Sequence, residues 1–133
     1  MMQAMVNKKA LEGYGRGAIE SEVLSASPHR IIQMLLNGAL EKIATAKGCI
    51  QRQDSVGKLR QISWAINIIN GLRASLDAEK GGDISANLDS LYEYICNKLH
   101  EASMENNVQY LDEVTELLSE VKAGWDGIPP EFR

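Results

Sequence analysis

The residues able to do chemistry are few in this 133-residue chain, and their spacing decides little in favour of catalysis. The two histidines are His29, in "SPHRI", and His100, in "KLHEAS". A carboxylate-bridged di-metal bundle needs Glu-x-x-His pairs projecting inward. Ala26 lies three residues before His29, and Asn97 three before His100, so neither fits. His100 and Met104 are four apart and would reach one side of a helix, as axial haem ligands could. No Cys-x-x-Cys-His attachment run exists, and a surface histidine beside a core-edge methionine is the simpler reading. His100 is also the candidate for an exposed phosphotransfer histidine, with no supporting constellation around it. "GYGRG" follows no strand pattern and lacks the lysine of a phosphate-binding loop. Cys49 and Cys96 sit in apolar helical patterns and read as buried free thiols of a reducing compartment. No catalytic residue, metal site or cofactor is expected.

The elements that position these residues are helices. Hydrophobic residues make up 44% of the chain, aromatics only 5%, and there are 3 prolines, a composition that leans to an all-α fold. "SASPHRII" marks a helix start, with Ser27 as cap and Pro28 at the first helical position. Ile32, Leu36, Ala39, Ile43, Ala46 and Ile50 then recur at spacings of three and four. "RQDSVGK" interrupts, with Asp54 or Ser55 as the next cap. Leu59, Ile62, Ile66, Ile69, Leu72 and Leu76 form a second face, ending at "EKGGD". There Gly81 is expected to close the helix in a left-handed conformation and Asp83 to cap the next. The third face is Ile84, Leu88, Leu91, Ile95, Leu99 and Ala102. Asn106 with Gln109 resembles a capping box. The fourth face is Val108, Leu111, Val114, Leu118, Val121 and Trp125, stopped by Pro129-Pro130. Four amphipathic helices with short connections predict an antiparallel four-helix bundle over residues 27–127. Residues 1–26 are expected to form a short helix or extended arm, and residues 128–133 a flexible tail.

Charge and hydropathy exclude further classes. There are 14 basic against 18 acidic side chains, a net charge of −4, which leaves no basic excess for neutralising phosphates, so no nucleic-acid partner is expected. The longest uncharged apolar stretch, "ISWAINIINGL", is too short to span a bilayer and carries two asparagines, so no membrane insertion is expected. "MMQAMVNKKALEGYGRG" has no continuous apolar core of a secretory signal.

What remains is surplus apolar surface. Trp64 and Ile68 lie to one flank of the second helix's core face, Ile31 and Met34 do the same on the first helix, and Tyr94 on the third. They cover the edges of a broad core, or they line a groove for a partner helix. Leu11 and Tyr14 are large anchors in an otherwise small and polar arm that could occupy the same groove.

The stretches "SASPHRIIQMLLNGAL", "AINIINGLRASLDAEKGGDISANLDSLYEYI" and "EVTELLSEVKAGW" resemble the FliS family of flagellar secretion chaperones, over roughly Leu11 to Ile128. The resemblance implies a cytosolic four-helix bundle with an extra N-terminal segment. It implies binding of the disordered C-terminal region of flagellin, which prevents premature polymerisation. It also implies delivery to the flagellar type III export gate, with no enzyme activity. An aliphatic residue and a tyrosine ahead of the serine-proline helix start influence client binding in the family, and Leu11 and Tyr14 in "LEGY" match them. Where many relatives carry an aromatic and then an aspartate, this chain has Leu36-Asn37. The client-binding residues expected are Leu11, Tyr14, Ile31, Met34, Leu35, Trp64, Ile68, Tyr92 and Tyr94, on a monomer or weak dimer. A homo-oligomeric structural bundle without a client is the alternative.

Overall fold

A computed structural model describes residues 26–77 and 81–133. Four α-helices account for most of them: α1 (Pro28–Gln51), α2 (Ser55–Ala74), α3 (Asp83–Glu105) and α4 (Val108–Asp126). A 3-10 turn, Pro130–Phe132, follows. The all-α class and the four-helix architecture agree with the sequence reading.

Side-chain bridges fix the arrangement as antiparallel. Between α1 and α4, Gln33 Nε2 donates to Asp126 at 2.7 Å and Lys47 Nζ to Asp112 at 2.9 Å, so partners descend one helix as they ascend the other. Between α2 and α3, Lys58 Nζ donates to the Ser103 carbonyl and Arg73 Nε to Asp89, at 2.8 and 2.9 Å. The helices form a ring in which each packs on its chain neighbours and α4 returns to α1. Leu36, Ile43, Ile69, Ile95, Leu99, Leu111 and Leu118 fill its centre, all fully buried.

The caps show how the chain chooses its boundaries. Ser27 Oγ accepts from the Arg30 amide and Asp54 Oδ1 from the Gly57 amide, as expected for helix starts. Three boundaries differ from expectation. α2 stops at Ala74, before Leu76 and "EKGGD", because the Ser75 hydroxyl turns back to donate to the Leu72 carbonyl at 2.7 Å. Gly82, not Gly81, holds the positive φ of 52°, and Asp83 is the first residue of α3 without a side-chain cap bond. Gly81 is constrained differently: a Cβ there would lie 1.8 Å from Ser85 Oγ, which is held by the Asp77 carbonyl. Finally, Asn107 rather than Asn106 caps α4, its Oδ1 accepting from the amides of Gln109 and Tyr110. Asn106 instead ends α3 in the left-handed conformation at φ 52°, a conformation asparagine tolerates.

Two residues assigned to core faces point outward. Leu59 is 58% exposed, because the core register of α2 is set by Ile62, Ala65, Ile69 and Leu72 and the helix start lies outside it. Ile84 is exposed because α2 ends short and leaves the first turn of α3 without a facing helix. Met104, expected at the core edge, is 85% exposed.

Leu99→Ala is expected to cost about 2–5 kcal/mol, since the ring geometry limits collapse around the cavity. Asn107→Ala is expected to cost about 1 kcal/mol through two lost cap bonds. Urea unfolding checks both: the midpoint should fall without a change in slope, and an unchanged midpoint for Leu99→Ala would contradict the core assignment.

Candidate functional site

Among the described helices, α1 packs most extensively on α2. Buried small residues make this possible: Gly38, Ala39 and Ala46 on α1, and Ala65 on α2. The seam along the α1–α2 edge carries Lys42 from α1 over Trp64 from α2.

Lys42 is the unusual member. It lies on the buried face of α1 beside Ile43 and Ala46 and is only 9% exposed. Its ammonium sits 3.7 Å from the centroid of the Trp64 ring, over the face of the indole. A lysine is rarely this buried unless its charge is compensated. The π face of Trp64 supplies part of that compensation, at about 1–2 kcal/mol for a desolvated pair. The stack also fixes the indole along the seam and leaves the ring half-buried. Met34, 5% exposed, lies outside the contiguous core cluster. Ile31 is half-buried against the core.

On α2, Gly71 lies two helical turns beyond Trp64 on the same stripe. A Cβ at Gly71 would meet nothing within 4 Å. The absent side chain therefore leaves a shallow depression on the seam, between the Trp64 ring and the end of the helix. From Gln61 to Leu72, α2 carries no charged residue at all. Its exposed positions are the neutral polar Ser63, Asn67 and Asn70, beside the half-buried Trp64 and Ile66, so a partner would meet no charge to desolvate there.

The residues expected to bind a client divide into groups. Trp64 lies on the α1–α2 edge against Lys42, Ile31 is half-buried against the core, and Met34 is buried outside the core cluster. Leu35 and Ile68 lie in the core beneath that edge. Tyr92 is also a core residue, and burial pushes its phenol above the ordinary value. Tyr94 is on another face, where its hydroxyl donates to Glu113 at 2.5 Å across α3 and α4, and that bond raises its pKa. Lys98 lies beside it, 4.1 Å from the Tyr110 ring centroid. Leu11 and Tyr14 lie outside the described residues. Sequence reasoning missed Lys42. Its signal is visible afterwards as a charged residue placed between Ala39, Ile43 and Ala46 on the apolar stripe.

Neither thiol is placed for chemistry. Both cysteines are buried and free. Burial pushes the Cys96 thiol up, and its Sγ lies 3.7 Å from Asn70 Oδ1. Among the described residues no group of three or more histidine, cysteine, aspartate or glutamate side chains could hold a metal ion. Among the same residues no helix is long and apolar enough to cross a membrane.

The fold is an antiparallel four-helix bundle whose α1–α2 edge holds the Lys42–Trp64 stack. The chain belongs to the family described as "Flagellar protein FliS", whose model matches residues 10–131. It is 48% identical over 124 residues to the flagellar secretion chaperone FliSB of Pseudomonas aeruginosa, covering 93% of this chain and 98% of that protein. It is 41% identical to the flagellar secretion chaperone FliS of Salmonella typhimurium, covering 96% and 95% of the two chains. The FliS of Vibrio cholerae is 40% identical, with 92% and 90% covered.

Gly71→Ala is expected to stabilise the bundle by about 0.5–1 kcal/mol, because the added methyl clashes with nothing and glycine is a poor helix former. Thermal unfolding should show the midpoint rising by a few degrees. A fall would mean that the depression is filled in solution.

Proposed function

We propose that this chain is a cytosolic export chaperone that holds the disordered C-terminal region of flagellin along the α1–α2 seam. The client is kept from polymerising there and is then delivered to the flagellar type III export gate. The reading is carried by the family match over nearly the whole chain, to relatives named as flagellar secretion chaperones. The seam supports it physically.

A disordered client loses conformational entropy when it orders on a surface, so it needs a large apolar contact area with few charges to desolvate. The charge-free run of α2 presents no charge to desolvate. Trp64 is a rigid aromatic anchor already immobilised by Lys42, so little of its rotamer entropy remains to be lost. The depression at Gly71 would accept one apolar client side chain. No nucleotide, metal or covalent step enters, so release depends on net affinity staying moderate.

Titration calorimetry of the full chain with a peptide from the flagellin C-terminal region tests the proposal. Saturable one-to-one binding with a negative heat-capacity change is expected. Gly71→Arg should weaken binding at least tenfold, while Tyr94→Ala, on the α3–α4 face, should change it less than twofold. Leu11→Ala/Tyr14→Ala should alter the affinity if the arm competes for the seam. Absence of binding at micromolar concentrations, in a chain that is a stable dimer by light scattering, would favour the homo-oligomeric bundle instead.

A further inference from the structure

The end of the bundle where α1 begins and α4 finishes holds a titratable group that the seam does not use. His29, in the first turn of α1, is 5% exposed. Its imidazole stacks on the Trp125 indole of α4, with ring centroids 4.9 Å apart and planes inclined by 10°. The indole Nε1 donates to the His29 carbonyl at 2.9 Å, so one tryptophan holds both the side chain and the backbone of this residue. His29 Nε2 is buried and has no hydrogen-bond partner.

Among the described residues, the charged groups around the ring offer no acceptor for a second imidazole proton. On α4, Asp126 is the nearby carboxylate, but Oδ1 accepts from Gln33 Nε2 and Oδ2 from Lys122 Nζ, at 2.7 and 2.5 Å. From the segment after α4, Arg133 reaches back to the carbonyls of Ile128 and Asp126, at 2.9 and 3.4 Å. Its guanidinium therefore stands as a like charge to any imidazolium. On α1 itself, the next residue is the cationic Arg30. Asp77, past the end of α2, lies at the same end of the bundle, with its carbonyl engaged by Ser85.

We propose that the His29–Trp125 stack is a pH-sensitive clasp that docks the first turn of α1 onto the end of α4 and releases it in mild acid. A neutral imidazole is compatible with the observed geometry at the cost of one unsatisfied acceptor. An imidazolium would bring a buried charge and an N–H donor aimed at no acceptor. Stacking on the indole returns part of that cost, but not the lost hydration, and Arg133 opposes it. The ring is thereby relieved by leaving the indole, which also breaks the Trp125–carbonyl bond. Burial, then Arg133, lower the His29 pKa below the ordinary 6.5, with Asp126 acting in the opposite direction. The sign follows from that direction: the clasp's contribution is complete above pH 6.5 and is lost as pH falls through the depressed folded value. The core of the bundle, held by α1–α2 and α2–α3 packing, does not depend on it.

The test is nuclear magnetic resonance of the labelled full chain between pH 7.5 and 5. There are 2 tryptophans, so the Trp125 indole N–H is assigned by its disappearance in Trp125→Phe. His29 is expected to titrate below 6.5, and the Trp125 indole resonance to move with the same midpoint while that of Trp64 stays still. In His29→Gln, shown folded by circular dichroism, the Trp125 resonance should no longer move over this range. If that variant does not fold, coincidence of the two wild-type midpoints still decides. A His29 midpoint at or above 6.5, or a Trp125 indole unmoved through the His29 titration, would overturn the proposal.

Discussion

The packing of α1 on α2 is the constraint from which the rest of the molecule follows. Small residues, Gly38, Ala39, Ala46 and Ala65, are among those the two helices bury. The same packing draws Lys42 inward and forces its ammonium onto the Trp64 ring. A surface with an immobilised aromatic and an uncharged helix is thus a by-product of how the core is built. The remaining contacts are looser in kind. Between α2 and α3, α3 and α4, and α4 and α1, polar bridges such as Arg73–Asp89, Tyr94–Glu113 and Gln33–Asp126 span the grooves. Such exposed bridges set register more than stability.

Much of this was legible in the sequence, and the parts that were not have definite causes. Apolar periodicity marked all four helices because each buries one continuous stripe against its neighbours. Ser27 and Asp54 were readable as caps because a short polar side chain before an apolar helix has one obvious role. The Asn106-Asn107 pair was not: either asparagine could cap, and which one does depends on the other adopting φ 52° to end α3. Likewise two adjacent glycines signal a reversal without saying which takes the positive φ. Ser75 ending α2 early was invisible, since serine is tolerated in helices and Leu76 continued the pattern.

The site was legible only as a surplus. Apolar residues beyond one stripe on α1 and α2 indicated extra surface, and of these Trp64 lies on the α1–α2 edge against Lys42. The pattern could not separate a residue on the seam from one beneath it, which is where Leu35 and Ile68 lie. Nor could it assign Tyr94 to the far face, because that depends on how α4 closes the ring. Lys42 was passed over because a lysine on an apolar stripe reads as an imperfection until its aromatic partner, twenty-two residues away on another helix, is known.

The central claim is that the α1–α2 seam is the binding surface. Chemical-shift mapping of the labelled full chain with a flagellin C-terminal peptide tests it most directly. The account predicts the largest perturbations at the Trp64 indole and the amide of Gly71, with Tyr94, Lys98 and Tyr110 little changed. Perturbations centred on Tyr94, Lys98 and Tyr110, with the Trp64 indole unmoved, would contradict it.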